Sequence, residues 1–261
     1  MTSTGDPPAG AAGQAGGRPA RAAKAQGTQA SIWDLPEHGT RGPRPRHDRA
    51  AIAAVAVRIA DAEGLEAVSM RRVAGELGIA VMSLYNYVPA KDHLAQLMTD
   101  QLAGEYAYPV TPAADPRAAI ADLARQAREI AGRHPWLAGL MQRPVPPGPN
   151  GFRYLDYFLG LLAGSGLDTG AKLEVTAMIS GFATMYGAMQ AALPAERTDA
   201  ASTVQQNAAQ IQAIARAAAS GSYPNLAAAL AAAGPPRSQD DIFGSCIDRL
   251  IDLAGLGLQQ H

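Results

Sequence analysis

The sequence predicts an all-α protein, with a small three-helix unit ahead of a larger helical one. Three observations carry that expectation. Hydrophobic residues make up 48% of the chain but aromatics only 5%, with alanine supplying much of the difference. Alanine has the highest helix propensity and lets helices approach closely. From residue 47 onward the apolar residues recur at helical spacing, and Gly or Pro punctuates each run. At 261 residues the chain is long enough for one large domain or two smaller ones.

Residues 1–30 are rich in Gly, Ala, Pro and Gln and hold almost no large apolar side chains. Such a segment buries too little surface to offset its ordering entropy, so disorder is expected. The stretch "SIWDLPEHGTRGPRPR" follows, with one anchor-like Trp33 and then three prolines among basic residues. It reads as an extended arm, and residues 1–45 as an N-terminal extension. Ile52, Val55 and Ile59 then share one helical face, and Gly64 ends that helix. Ser69 is the expected N-cap of a short helix over 70–77. Gly78 breaks it, a second short helix covers 81–87, and Pro89 stops that one. A longer helix is expected from Lys91 to about Tyr106.

Asp115 as N-cap with Pro116 at the first helical position opens the second region. Breaks at Pro135, 143–151, 164–170, 220–225 and 234–236 divide it into five or six helices. The run 175–195 is uncharged for 21 residues, close to membrane-spanning length. It carries Thr176, Ser180, Thr184, Gln190 and Pro194, and is read as a buried helix. In the last helix Phe243, Ile247, Leu250 and Ala254 form an apolar stripe that Ile242, Cys246, Ile251 and Leu253 widen. So wide a stripe is either core or a subunit contact.

Charge is uneven although the net is only -1. Residues 1–91 hold 11 Lys/Arg against 8 Asp/Glu, and the remainder 11 against 15. The basic density peaks in "RGPRPRHDR", between Arg41 and Arg49. One cysteine, Cys246, excludes an intramolecular disulfide and any multi-cysteine zinc site. The first residues lack a basic patch followed by an apolar block, so no signal peptide is expected and the protein is read as cytoplasmic. No enzyme motif survives inspection. "GSGLDTGAK" approaches a phosphate loop, but Ala171 separates Gly170 from Lys172. The five histidines are scattered without metal spacing. No cofactor and no catalytic residue are expected.

The informative stretch is "RRVAGELGIAVMSLYNYVPAKDHL", residues 71–94. Two helices crossing steeply need a small residue on the first, here Ala74, and a residue tolerant of positive φ at the corner, here Gly78. An apolar residue must point inward from the second helix, and Leu84 fills that role. This is a helix-turn-helix, whose second helix can enter a DNA major groove. With Leu84 inward, Ser83, Tyr85, Asn86 and Tyr87 fall on or near the outward face. Their hydroxyls and amide suit phosphate oxygens, and tyrosine rings pack on sugars or thymine methyls. Lys91 adds a phosphate contact beside the N-terminal amides of the next helix. Inward packing of one of the two tyrosines is the competing reading.

The segments "AEGLEAVSMRRVAGELG" and "SLYNYVPAKDHL" closely resemble the DNA-binding domain of TetR-family transcriptional regulators. "RHPWLAGLM", "YPNL" and "DIFGSCIDRLIDLAGLGL" look like the C-terminal domain of the tetracycline-repressor subgroup. The resemblance implies a homodimeric, ligand-responsive regulator, by default a repressor. Residues 46–92 would bind double-stranded operator DNA, and residues 93–258 would hold a small-molecule effector site and the dimer contact. By position, Arg71 would reach DNA from the second helix, and Val81 and Met82 would join Ser83, Tyr85, Asn86, Tyr87 and Lys91 at the interface. Arg44 and Arg46 of the arm are expected to add phosphate or minor-groove contacts. Ala80, Val81 and Met82 stand where relatives often place polar readers, so apolar contacts and DNA shape are expected to carry specificity. Ala90 stands where a capping Asn or Ser is common.

For the effector, Trp136, Phe158, Met178, Phe182, Met185, Tyr186 and Met189 are the expected lining, since aromatic and methionine side chains suit an adaptable apolar cavity. Phe182, Met185, Tyr186 and Met189 share helical spacing beside Gly181 and Gly187, which would leave room. A largely apolar or aromatic effector is therefore expected. The dimer is expected on Phe243, Ile247, Leu250, Ile251 and Ala254 together with the uncharged helix. The competing reading is a helical DNA-binding or scaffold protein without a small-molecule ligand.

Overall fold

The computed structural model describes residues 31–36, 47–110, 113–142, 144–192, 200–253 and 255, with no side-chain description for 200–208. Among these residues every regular element is a helix. Ala254 and the basic residues Arg41, Arg44 and Arg46 lie outside the described residues.

The first helix, α1 (Arg49–Glu63), starts where the Asp48 carboxylate accepts the Ala51 N–H at 2.7 Å and ends at Gly64, whose φ is 85°. A 3-10 turn (Leu65–Ala67) leads to α2 (Met70–Glu76), and Ser69 caps it through the Arg72 N–H. At the corner Gly78 has φ 66°, the left-handed region that glycine adopts without a Cβ penalty. Its neighbour Ile79 donates its N–H back to the Ala74 carbonyl at 3.0 Å. Ala74 and Leu84 are both fully buried where the helices cross, as the spacing requires.

Helix α3 (Val81–Tyr85) stops two residues earlier than the sequence suggested. The chain tightens there, with the Asn86 and Tyr87 N–H groups bonding three residues back to Ser83 and Leu84. Helix α4 (Lys91–Ala103) begins at Ala90, which is extended and provides no side-chain cap. An oxygen there would accept one of the first-turn N–H groups. Ala90→Ser should therefore stabilise the protein by about 1 kcal/mol, and thermal unfolding of the two proteins checks it.

Seven helices follow, against the five or six expected, because the four-residue α6 forms a single turn of its own. They are α5 (Pro116–Arg133), α6 (Leu137–Leu140), α7 (Pro149–Leu161), α8 (Thr169–Ala192), α9 (Ala200–Ala219), α10 (Pro224–Ala231) and α11 (Gln239–Leu253). Asp115 caps α5 through the Ala118 N–H, with Pro116 leading. No helix among the described residues is long and apolar enough to cross a membrane.

Two apolar cores organise these elements. One gathers α1 to α4, the buried Ile32, and Ile130, Trp136 and Leu140 from α5 and α6. The other joins α5, α7, α8 and α11 around Ile120, Phe158, Ile179, Phe243 and Ile247. Helix α4 belongs to the first core through Leu94, Leu97, Met98 and Leu102. Its 13 residues therefore form a rod of about 20 Å, with Lys91 at one end and the link toward α5 at the other. The α9–α10 pair packs chiefly on itself and leaves Ile211, Ile214 and Leu230 exposed.

Candidate nucleic-acid interface and effector cleft

Leu84 anchors the short α3 in the core, and that fixes what its other sides present. Met82 is 75% exposed and Tyr85 40% exposed, while Asn86 is exposed beyond them. Val81 and Ser83 are half-buried at the edges of this face. The two tyrosines part company, because Tyr87 packs against the first core whereas Tyr85 turns to solvent. The sequence left open which of the two would turn inward; it is the one just past the helix end.

Arg71 and Lys91 are exposed, and among the described residues neither has a carboxylate within ion-pair distance. The adjacent Arg72 is held by Glu63 at 2.7 Å and by Glu76. Of the two neighbouring arginines, Arg71 is thus the one available to an outside anion. Lys91 stands at the uncapped start of α4, where first-turn N–H groups and the positive end of the helix dipole favour negative charge. These residues offer hydroxyl, amide, apolar and cationic groups of the kinds that suit a groove edged by phosphates.

The expected effector residues do not converge on one cavity. Trp136 is buried in the first core, and its indole N–H donates to Asp61 at 2.7 Å. Phe158 is fully buried beneath Tyr154, a packing residue with no open side. Phe182 and Tyr186 pack against Phe243, and Arg128 lies 4.9 Å over the Phe243 ring. Of the two glycines expected to leave room, Gly181 has open space where a Cβ would stand, whereas a Cβ on Gly187 would collide with the backbone of Arg128. Gly187 nonetheless lines a cleft of about 760 Å³ together with Gln190 and Phe243. Helix α8 needs that glycine to sit directly on α5. Met178, Met185 and Met189 face the other way, each about half exposed.

Within one protomer the expected dimer stripe is largely core. Phe243, Ile247 and Ile251 are 5%, 2% and 0% exposed within a single protomer, so they have almost no area to offer a second copy. The wide stripe is core along one edge and open along the other, where Leu250 is half-buried and Leu253 exposed.

An aromatic cleft of about 540 Å³ lies between the α4–α5 link, α5 and α7, lined by Tyr108, Leu123, Arg125, Gln126 and Tyr157 among others. Tyr106 packs tilted against Tyr154 with centroids 4.5 Å apart, and the Tyr154 hydroxyl shares a 2.6 Å hydrogen bond with Ser180. Burial pushes the Tyr154 phenol up to about 12, and also raises the Tyr106 phenol well above its ordinary value. Both are therefore neutral hydroxyls at physiological pH. Tyr108 meets the edge of Tyr157, and its hydroxyl is buried without a hydrogen-bond partner. Arg153 stacks 4.8 Å over the Tyr108 ring. Gln126 clamps the link itself, accepting the Ala107 N–H at 2.8 Å and donating to the Ala107 carbonyl at 3.1 Å.

A polar phenol left unsatisfied in a buried position costs about 1–3 kcal/mol, so a ligand oxygen reaching Tyr108 would be favoured. The effector residues expected from the sequence include none of Tyr106, Tyr108, Tyr154 and Tyr157. The signal was present in "EYAYP": two tyrosines at a helix break in an aromatic-poor chain, the pattern that singled out Tyr85 and Tyr87.

Comparison with known proteins agrees with this geometry. Residues 52–98 match the family described as bacterial regulatory proteins, tetR family, and residues 98–258 match the tetracyclin repressor-like C-terminal domain. The chain is 34% identical over 240 residues to the HTH-type transcriptional repressor DrrR1 of Streptomyces coeruleorubidus, covering 88% of this chain and 81% of that one. Among solved structures it is similar to ActR of Streptomyces coelicolor in complex with actinorhodin, with a TM-score of 0.67, 26% identity, and 82% and 98% of the two chains covered. Apo ActR gives a TM-score of 0.63 at 26% identity, covering 81% and 98%.

Proposed function

Because the chain belongs to the tetR family of bacterial regulatory proteins, we infer that two copies together occupy a palindromic operator until an aromatic effector releases them. The protein is a ligand-responsive, DNA-binding transcriptional repressor, which acts in the cytoplasm and catalyses no reaction. The observation that carries the DNA-binding half is the outward face of α3, with Leu84 buried behind it and Met82 and Tyr85 exposed.

In this reading α3 lies in the major groove. Met82 and Val81 meet thymine methyls, while Tyr85, Ser83 and Asn86 contact base edges or the backbone. Tyr87 supports the helix from behind and reaches only the backbone. Arg71 and Lys91 bind phosphates, Lys91 together with the open amides of α4. Arg44 and Arg46 add salt-sensitive affinity. The DNA-binding function is assigned to residues 46–92 and the effector and dimer functions to 93–258, with α4 as the shared rod.

The two recognition helices must stand about 34–36 Å apart to read successive half-sites. Met178, Met185 and Met189 lie seven and four residues apart on one exposed stripe of α8. With Leu250 and Leu253 of the adjoining α11 they are the apolar surface proposed for the second copy. Asp at both Met178 and Met185 should give folded monomers that no longer protect the operator. Sedimentation and circular dichroism check this, and a variant that stays dimeric would place the contact elsewhere.

For the effector we assign the tyrosine cleft, supported by the unpartnered Tyr108 hydroxyl and the aromatic rings around it. ActR binds actinorhodin in the similar structure, which makes that compound a sensible first probe. A planar ligand bearing acceptor oxygens would stack on the rings, accept from Tyr108, and wedge the α4–α5 link away from Gln126. That displacement tilts the α4 rod and changes the spacing of the recognition helices. The shift requires tighter binding to the released state than to the DNA-bound one.

The test is selection of bound sequences from a random duplex pool, followed by titration of the complex with actinorhodin and related aromatic compounds. An enriched palindrome that dissociates on titration supports both halves. A palindrome that no such compound releases would leave a DNA-binding protein whose effector is of another class.

A further inference from the structure

Six residues preceding α1, outside the matched stretch 52–98, are built into the body of the protein. Ser31 opens a single 3-10 turn (Ile32–Asp34) with a reciprocal cap, its hydroxyl accepting the Trp33 N–H and the Asp34 carboxylate accepting the Ser31 N–H. Ile32 is fully buried. On α4 the Gln96 side-chain oxygen accepts the Ile32 N–H at 2.9 Å and the Ser31 hydroxyl at 3.1 Å. An extended arm was expected here; the apolar Ile32 and the cap hold this part of it against the core instead.

Arg49 joins that segment to the recognition helix. Its guanidinium is buried and donates to the carbonyls of Ile32 at 2.8 Å, Leu35 at 3.1 Å and Pro36 at 3.0 Å. Through Nε it also donates to the carbonyl of Tyr87, just past the end of α3, at 3.4 Å. The fixed fork of an arginine suits four acceptors in different directions, which a lysine could not satisfy together.

The other end of the segment reaches α7. Trp33 lies against Gly148, the N-cap residue of α7, so closely that a Cβ there would collide with the indole and with the Asp100 carboxyl group. Asp100 on α4 in turn accepts the Asn150 and Gly151 N–H groups, both at 2.9 Å. Helix α7 carries Tyr157 of the aromatic cleft. A continuous path of packed groups thus runs from α7 through Trp33 and the 31–36 carbonyls to Arg49 and Tyr87.

We propose that residues 31–36 form a strut that sets the recognition helix according to the position of α7, with Arg49 as the positioning residue at its joint. It rests on the DNA-binding reading above and adds a second route to the α4 rod. Any shift of the α7 N-terminus moves Trp33, and with it the carbonyls that Arg49 holds in common with Tyr87. Arg49 acts by orientation, since its donors are directed inward at backbone carbonyls.

Two variants test the strut, Arg49→Gln at the joint and Gly148→Ala at the far end. Both are made in a chain also carrying Arg44→Ala and Arg46→Ala, so that the neighbouring basic segment cannot account for a change. The probe is the duplex selected by the unmodified protein, with folding and dimerisation checked by circular dichroism and sedimentation. Loss of one or more charge-assisted bonds at the joint should weaken binding at least about tenfold. Gly148→Ala, remote from the DNA face, should weaken binding in the same direction while the protein remains folded and dimeric. In a Trp136→Phe background, the remaining Trp33 should report the displaced strut as a red-shifted emission in Gly148→Ala. A folded, dimeric Gly148→Ala that binds with unchanged affinity would overturn the strut, even if Arg49→Gln fails to fold. Failure of the unmodified protein to select any duplex would remove the DNA-binding reading itself, a separate result.

Discussion

Tyr85→Ala is expected to weaken sequence-specific binding strongly while leaving the protein folded. The ring is exposed on the outward face of α3, and the core contact of this helix is made by Leu84. Truncation therefore leaves no cavity. A good contact to a base or its sugar contributes about 1–3 kcal/mol per half-site, and a symmetric dimer loses it twice. Affinity for the selected palindrome should fall by roughly 30-fold to 10⁴-fold, whereas salt-dependent binding to random duplex should change little. Fluorescence anisotropy against both duplexes separates the two. If Tyr85→Ala bound the palindrome normally, the recognition surface would have to lie elsewhere than on α3. Tyr87→Phe is the internal control: Tyr87 packs inward, so removing its hydroxyl should leave base discrimination intact.

The second large effect concerns stability. Phe243→Ala removes a ring that is 5% exposed and packed between Phe182, Tyr186 and Arg128. Truncating a buried Phe in this way costs about 3–5 kcal/mol, the sum of the lost transfer energy and the cavity left behind. For a protein of this size the midpoint should drop by about 10 °C or more. Calorimetry or thermal circular dichroism measures it. A surface position would behave otherwise, losing the dimer and keeping the fold, as expected here for Met178 and Met185. The pair of experiments therefore distinguishes core from interface directly. A thermal midpoint unchanged in Phe243→Ala would mean that α11 does not close the second core.

Much of the fold was legible in the residues themselves. Caps, corners and breaks are local: Asp48, Ser69 and Asp115 accept N–H groups three residues on, and Gly64 and Gly78 adopt positive φ where the chain must turn. These interactions depend on neighbours in sequence, so the sequence displays them. The inward Leu84 followed from the same logic, although which of Tyr85 and Tyr87 turns outward did not. What remained hidden depended on which side of an apolar helix meets another element. In α11 a stripe too wide for one contact divides into Phe243, Ile247 and Ile251 facing the core and Leu253 facing solvent. In α8, Phe182 and Tyr186 turn inward while Met178, Met185 and Met189 turn out. Hydrophobicity is non-directional, so composition and periodicity could not assign those faces.

By itself, then, the sequence determined the helical class, the order of the helices through the DNA-binding unit, and the side of α3 that is offered to a groove. Only the tertiary structure decided that Gly187 seats α8 directly on α5, that Tyr108 and Tyr157 line one cleft while Tyr106 packs on Tyr154, and that a short segment before α1 is bound at Arg49 and Gln96. Those features bring together residues dozens of positions apart, such as Ile32 with Gln96 and Trp33 with Gly148. Their geometry follows from the packing of whole helices, which no local pattern encodes.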